Sequence, residues 1–161
     1  MIYIRHAGAL DANAMARLLN EIIHKGGTTA FTNPVTCDTI TQWLTHRHDA
    51  SAWQVVEDDN GTLLGFQSIE PRQILPADAC DIGTFVSPDS VGLGVGTKLF
   101  EASHKAATAL GYRWINATIR TDNAGGLAYY QSRGFENYAL HPNIRLENGL
   151  TVDKISKRFD L

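Results

Sequence analysis

The segment VGLGVGTKLF, residues 91–100, places three glycines among apolar residues directly before a helix-like run. Glycine has no Cβ, so its backbone can come close to a ligand. The N-terminus of a helix adds unpaired N–H groups and a partial positive charge. The segment therefore predicts a phosphate-binding loop, and a simple tight turn between a strand and a helix is the alternative.

Two common nucleotide-binding loops do not fit this spacing. A dinucleotide-binding loop needs G-x-G-x-x-G, whereas Gly92, Gly94 and Gly96 alternate, so that the last glycine comes one position early. A Walker loop needs Lys directly after its last Gly, whereas Thr97 stands between Gly96 and Lys98. The spacing of the loop alone leaves its ligand undecided.

Apolar periodicity along the chain predicts seven strands and four helices in the order β-α-α-β-β-β-α-β-α-β-β. Asn60-Gly61 predicts a hairpin turn, and Asp11 and Thr36 are predicted to cap the first two helices. The predicted inner face of the third helix comprises Leu99, Ala102, Ala106 and Leu110. Hairpins combined with two helical crossovers predict an α+β fold of three layers (α/β/α), in which helices cover both faces of a mixed, mostly antiparallel sheet.

Length and composition limit the class of protein. A chain of 161 residues suits one domain, residues 1–161, and the net charge of -3 argues against a nucleic-acid partner. No apolar run approaches the ~18 residues of a membrane span. The two cysteines, Cys37 and Cys80, form neither a disulfide framework nor a zinc cluster. We therefore expect a single cytoplasmic domain without a metal.

A second motif, NAGGLAYYQSRGF at residues 123–135, gives the glycine loop its context. With FVSP at residues 85–88 and the loop, it resembles the GNAT superfamily of N-acetyltransferases. That family carries V-x-P, Arg/Gln-x-x-Gly-x-Gly/Ala, a helix, a strand and N-x-x-A-x-x-x-Y-x-x-x-G-F in this order. The positions in register are Asn123, Tyr130, Gly134 and Phe135. The resemblance implies acetyl-CoA as the acyl donor and a sheet splayed between its fourth and fifth strands.

Two positions depart from the family pattern. Val91 stands where Arg or Gln is usual, and Gly126 stands where Ala is usual. Because the family's loop binds mainly through backbone amides, Val91 implies weaker cofactor binding rather than loss of the site. Gly125 and Gly126 are expected to loosen the start of their helix by about 1 kcal/mol each relative to Ala.

The N-terminal half resembles, more faintly, the phosphinothricin-acetyltransferase type. This resemblance rests on TTAF at residues 28–31, DIGTFVSP at residues 81–88 and Asp153, although Thr151 stands where an aromatic residue is common. Members of that type acetylate small amino acids or their analogues, and many relatives are dimers. The resemblance thus implies a small-molecule amine as acceptor and a homodimer.

The family resemblance also implies the cofactor-binding residues. Backbone N–H groups from Gly92 to Lys98 would hold the pyrophosphate, and backbone groups of Phe85 and Val86 would bind the pantetheine arm. The full implied set is Phe85, Val86, Gly92, Leu93, Gly94, Val95, Gly96, Thr97, Lys98, Asn123 and Tyr130.

Acetyl transfer to an amine needs a base for an ammonium of pKa about 10 and an acid for the leaving thiolate. Asp81 matches the strand position of a common family glutamate and is the implied base, with Glu70 as the alternative. Tyr130 matches the family's acid, whereas Tyr129, about 100° away around the helix, is predicted to lie in the core. A covalent route through Cys80 lacks a histidine placed to activate it.

The acceptor side is less specified. In the family, the loop after the first helix helps to wall the acceptor site, so the resemblance implies this role for Thr28, Thr29 and Phe31. Arg72, just past the third strand, is the candidate to bind a substrate carboxylate. The resemblance therefore predicts direct acetyl transfer from acetyl-CoA to the primary amine of a small molecule. The alternatives are an acyl-CoA sensor without turnover and an acetyltransferase for protein N-termini or lysines.

Overall fold

The computed structural model describes residues 1–90 and 92–161, so the predicted effect of Val91 lies outside the described residues. Within them, the strands are Ile2–His6 (β1), Ala52–Asp58 (β2), Leu63–Glu70 (β3), Ala79–Val86 (β4), Trp114–Arg120 (β5), Glu136–Arg145 (β6) and Thr151–Asp160 (β7). The α-helices are Ala12–Lys25 (α1), Cys37–Thr45 (α2), Val95–Ala109 (α3) and Ala124–Arg133 (α4). In this part of the chain, no helix is long and apolar enough to cross a bilayer.

The strands form one sheet in the order β1-β2-β3-β4-β5-β7-β6. Neighbouring strands are antiparallel except β4 and β5, which are parallel. Their pairing covers Ala79–Asp81 of β4 and Trp114–Asn116 of β5, and β4 then continues to Val86 away from that ladder. The predicted mixed sheet, splayed between its fourth and fifth strands, is confirmed.

Local sequence signals explain several element boundaries. Gly61 adopts φ 76° in the β2–β3 turn, which suits glycine, and the Asp58 carboxylate accepts hydrogen bonds from the turn backbone. The Thr36 hydroxyl accepts from the N–H of Thr39 at 3.1 Å and so caps α2 as predicted. Asp11 occupies the predicted N-cap position of α1, but its side chain makes no capping bond to this helix. Its carboxylate instead accepts from the N–H of Gly8 and from a guanidinium.

Two apolar layers cover the sheet. Helices α1 and α2 pack on the face that carries Trp53, Phe66 and Phe85, and α3 and α4 pack on the opposite face. The predicted inner face of α3 is only partly right. The buried residues are Val95, Leu99, Phe100, Ser103 and Ala107. Leu110 is 39 % exposed. Four of these buried residues, at positions 95, 99, 103 and 107, are spaced four residues apart. Because position 103 is a serine, a search for apolar residues alone does not find this row.

A glycine of β3 sets the approach of α3 to the sheet. A Cβ on Gly65 would lie 2.9 Å from Cγ1 of Val95 and 3.0 Å from the carbonyl oxygen of Phe85. Real Cβ contacts are longer, so a side chain here would force the strand and the start of α3 apart. Gly65 thus allows the first residue of α3 to rest directly on β3.

We therefore expect Gly65→Ala to lower the free energy of unfolding by about 1–3 kcal/mol through overpacking. The matched control is Gly125→Ala in α4, whose Cβ would meet only Oδ1 of Asn123 at 3.9 Å. That control is expected to raise stability by up to about 1 kcal/mol. Urea unfolding followed by circular dichroism measures both, and equal stability of the two variants would contradict this packing.

Candidate active site

The glycine loop ends at the N-terminus of α3, beyond the C-terminal end of β4. Gly92 and Gly94 adopt φ 84° and 80°, where a side chain would be strained, and Gly94 is the N-cap of α3. The N–H groups of residues 95–97 have no partner within the helix, by helix geometry. The N–H of Lys98, in contrast, donates to the carbonyl of Gly94 at 3.1 Å. The anion-binding donors of the helix itself therefore end at residue 97, and Lys98 offers its exposed side chain.

Helix α4 holds this first turn of α3 in place. The Tyr129 hydroxyl donates to the carbonyl of Gly96 at 2.7 Å, and Arg133 donates to the Thr97 hydroxyl at 3.1 Å. A Cβ on Gly96 would lie 2.8 Å from Cε1 of Tyr129, so only glycine permits this approach. Tyr129 was predicted as core, and its ring packs partly buried against the core, but its hydroxyl also fixes the loop.

Backbone groups of β4 face the gap that opens beside β5. The N–H of Ser87 donates to β3 at 2.8 Å. Bonded and non-bonded pairs alternate along an antiparallel ladder, so Phe85 exchanges both of its backbone bonds with Phe66. Thr84 and Val86 then direct their N–H and C=O groups away from β3 and into the gap. Val86 therefore has the free backbone groups that its predicted role requires, and Thr84 has them in place of Phe85.

Tyr130 borders this gap from the α3/α4 side. Its side chain is buried, and its hydroxyl lies 2.7 Å from Oγ1 of Thr84. Burial raises the pKa of the phenol well above its ordinary value, although the hydrogen bond with Thr84 opposes this shift. The phenol is therefore protonated at neutral pH, as an acid catalyst must be.

Asp81 lies on the other face of β4, because successive side chains of a strand alternate and three positions separate it from Thr84. Nδ2 of Asn116 donates to one carboxylate oxygen at 2.8 Å, and Nε of Arg72 donates to the other at 3.2 Å. Burial raises the pKa of Asp81, while both donors act in the opposite direction. A desolvated carboxylate of this kind is a stronger base than a solvated one.

Glu70, the alternative base, is the cross-strand partner of Asp81. Burial raises the pKa of Glu70; the neighbouring Asp81 also raises it, and Arg72 lowers it. Nη2 of Arg72 lies 4.0 Å from Oε1 of Glu70, so one guanidinium serves both carboxylates. The residue predicted to bind a substrate carboxylate is thus engaged with the two candidate bases.

The loop between α1 and α2 is tied to the end of β5 and the start of α4. The carbonyl of Thr28 accepts from Nδ2 of Asn123, and the carbonyl of Thr29 accepts from Nη1 of the buried Arg120, both at 2.9 Å. Oδ1 of Asn123 accepts from the N–H of Gly126 at 2.9 Å. A Cβ on Gly126 would collide with the Asn123 amide, which explains the glycine at this position. Both ends of the Asn123 amide are therefore used within the protein.

Phe31, in the same loop, extends an aromatic row over the sheet. Its ring centroid lies 5.3 Å from that of Trp43 and 6.3 Å from that of Phe85. Phe31 is also 37 % exposed, so part of its ring is open to a ligand. The predicted wall residues thus lie on the α1/α2 side, the same side as Asp81.

Several polar residues beside Asp81 carry no motif and were not predicted. The Tyr138 hydroxyl donates to Oδ1 of Asn116, which fixes the amide that faces Asp81. The Thr118 hydroxyl lies 3.0 Å from the same amide and 2.8 Å from the Ser156 hydroxyl. The alternation of side chains along β5 places Asn116 and Thr118 on one face of the sheet. Only the pairing of β4 with β5 brings Asn116 next to Asp81, and the sequence does not show this pairing.

Cys80 is not suited to covalent catalysis. It is fully buried, on the face of β4 opposite Asp81, and burial raises the pKa of its thiol to about 12. Its Sγ lies 3.9 Å from the carbonyl of Trp114. Among residues 1–90 and 92–161, no group of three or more His, Cys, Asp or Glu side chains is placed to hold a metal ion.

Solved acetyltransferases share this architecture. A phosphinothricin acetyltransferase of the GNAT superfamily from Sinorhizobium meliloti, solved in complex with acetyl-CoA, has a TM-score of 0.88 at 21 % identity. The match covers 99 % of this chain and 88 % of that chain. The predicted fold class is confirmed by this likeness.

Relatives by sequence carry related names. This chain is 28 % identical over 160 residues to YwnH of Bacillus subtilis (strain 168), provisionally assigned as a phosphinothricin acetyltransferase, covering 98 % of this chain and 94 % of that protein. It is 27 % identical over 167 residues to the L-methionine sulfoximine/L-methionine sulfone acetyltransferase of Pseudomonas paraeruginosa (strain DSM 24068 / PA7), with the same coverage of each.

The names of these relatives, together with the family match, confirm the predicted enzyme class, an acetyltransferase. The model of the acetyltransferase (GNAT) family matches residues 15–135, which include the glycine loop, Asp81 and Tyr130. With most of its length matched, the chain belongs to the acetyltransferase (GNAT) family.

Proposed function

We propose that this enzyme transfers the acetyl group of acetyl-CoA directly to the primary amine of a small amino acid or amino-acid analogue, within one ternary complex. The observation that carries the proposal is the short β4–β5 pairing, which ends at Asp81 and leaves a gap with Tyr130 on one side and Asp81 on the other. The name of the Pseudomonas relative supports an amino-acid derivative as the acceptor class.

The donor would bind along the gap with its pyrophosphate at α3. N–H groups of Gly92 and of residues 94–97, together with the helix dipole, offer the positive potential, and the exposed ammonium of Lys98 adds charge. The backbone of Thr84 and Val86 would bond the pantetheine arm, as an unpaired strand edge does. The exposed side chain of Leu93 lies beside this path.

Proton transfers would then run from one face of the sheet to the other. Asp81 takes a proton from the substrate ammonium, directly or through a water, and the amine attacks the thioester carbonyl. As the C–S bond breaks, Tyr130 gives its phenolic proton to the leaving sulfur and the nitrogen releases its second proton to solvent, from which Tyr130 is then reprotonated. Glu70 holds the incoming ammonium or replaces Asp81 as the base.

The acceptor would enter from the α1/α2 side. Thr28, Thr29 and the exposed part of Phe31 form its wall, and Arg72 binds its carboxylate. Because Nε of Arg72 lies 3.2 Å from the Asp81 carboxylate, a substrate carboxylate bound to Arg72 would compete with Asp81 for this guanidinium. The pKa of Asp81 would then rise further, and its basicity would increase when the acceptor is in place.

Residues 1–161 are proposed to act as one catalytic domain in a cytoplasmic homodimer. Both cysteines are free thiols, Cys37 exposed and Cys80 buried, which is typical of a reducing compartment. The dimer remains a prediction from the family resemblance.

A panel of acceptors tests the reaction through release of the free thiol from acetyl-CoA. We expect release with free amino acids and analogues such as L-methionine sulfone, and about ten-fold lower kcat/KM when the carboxylate is converted to an amide. Arg72→Ala should abolish that preference. Binding of acetyl-CoA in calorimetry without release on any amine would support a sensor, and release confined to peptides would support a protein acetyltransferase.

The pH dependence of kcat/KM tests the base. A base works when deprotonated, so activity should fall as the pH drops through the raised pKa of Asp81. Asp81→Asn is expected to lower kcat by about 10²–10⁴-fold and to remove this acid limb. Glu70→Gln is the matched control, and the opposite pattern between these two variants would make Glu70 the base.

A further inference from the structure

A partly buried chain of hydrogen bonds joins the first turn of α3 to the hydroxyl of Tyr130. The carbonyl of Gly96 accepts from the Tyr129 hydroxyl at 2.7 Å, and the Tyr129 oxygen accepts from Nε2 of Gln67 at 3.1 Å. The same Nε2 donates to Oγ1 of Thr84 at 2.9 Å, which lies 2.7 Å from the Tyr130 hydroxyl. We call Tyr129, Gln67 and Thr84 the Gln67 bridge.

The number of protons in this bridge favours one direction of donation. Tyr129 uses its only hydroxyl proton on Gly96, so its oxygen can accept from Gln67. Both N–H groups of the Gln67 amide are used, and the Thr84 oxygen accepts one of them. The Thr84 hydroxyl proton is then available for the oxygen of Tyr130, and the Tyr130 proton is available for another acceptor.

Gln67 is a costly residue if its only role is packing. It is fully buried in β3, an inner strand of the sheet, and its Oε1 has no hydrogen-bond partner among the described residues. An unpaired buried carbonyl loses its hydrogen bond to water without replacement, whereas an apolar side chain of similar size avoids this loss. The two bonds that Nε2 donates are the feature that such a side chain would not provide.

We propose that Gln67 helps to position both ends of acetyl-CoA, the pyrophosphate and the thioester. It acts on the pyrophosphate through Tyr129, which holds the α3 turn, and on the thioester through Thr84, which contacts the acid Tyr130. When Tyr130 gives its proton to the leaving sulfur, its oxygen keeps the electron pair, and the Thr84 hydroxyl donates to that phenolate. Gln67, Tyr129 and Thr84 are positioning residues in this scheme. The proposal rests on the proposed roles of Tyr130 and the α3 turn.

Three variants separate the two arms of the bridge. Thr84→Val keeps the shape of the side chain and should lower kcat by about 2–10-fold, the range of one hydrogen bond, with the Kd for coenzyme A within two-fold. Tyr129→Phe should raise that Kd by about 2–10-fold and leave saturated kcat within two-fold. Gln67→Met should both lower kcat and raise the Kd for coenzyme A.

Folding controls accompany these variants. Gln67→Met removes the unpaired carbonyl, so its thermal midpoint should equal or exceed that of the natural chain. Thr108→Val removes a hydroxyl on the exposed side of α3, 3.0 Å from the carbonyl of His104, and should leave kcat and Kd unchanged. Loss of activity by Gln67→Met together with a lowered thermal midpoint would attribute the effect to folding and overturn the proposal.

The Tyr130→Phe background distinguishes this proposal from the proposed function. Thr84 acts through the Tyr130 hydroxyl, so Thr84→Val should have no further effect on kcat in that background. An equal loss in both backgrounds would overturn the Thr84 arm. An unchanged kcat for Tyr130→Phe alone would instead remove Tyr130 as the acid and with it the Thr84 arm, while the coenzyme A Kd of Tyr129→Phe still decides the other arm.

Discussion

The separation of β4 from β5 after Asp81 is the constraint on which the rest of the site depends. Paired strands use their backbone groups on each other, whereas the free half of β4 turns the groups of Thr84 and Val86 toward a ligand. The phenol of Tyr130, from α4, and the carboxylate of Asp81, from β4, lie on opposite sides of this strand, and burial raises the pKa of both. A substrate arm in the gap would then meet an acid on one side and a base on the other.

The α3 turn is the second element, and α4 holds it in position through a contact that the turn's own Gly96 permits. Gly96 lies against the ring of Tyr129, and the hydroxyl of that tyrosine binds the Gly96 carbonyl. Two motifs that are distant in sequence are therefore one structural unit. Through Gln67 and Thr84, this chain of hydrogen bonds continues from Tyr129 to the edge of β4. One hydrogen-bonded network would therefore position both the pyrophosphate and the thioester of the donor.

Much of this arrangement could be predicted from sequence, because glycine spacing and strand–helix order are local signals. The mixed sheet and the Thr36 cap are of this kind, and the register with a known family added Tyr130. Sequence could not show that Thr84 rather than Phe85 faces the gap, since that depends on the pairing register with β3. Nor could it show Arg72 between two carboxylates, because cross-strand neighbours are far apart in the chain.

Backbone amide shifts during a titration with coenzyme A test whether the α3 turn and the free edge of β4 bind the donor together. Nuclear magnetic resonance of the ¹⁵N-labelled protein reads each N–H separately, including those of residues 92–97 at the start of α3 and those of Thr84 and Val86 on the free edge of β4. We expect the largest shifts to fall on these two groups together. Saturable binding with its largest shifts elsewhere, and with both groups unmoved, would contradict this expectation.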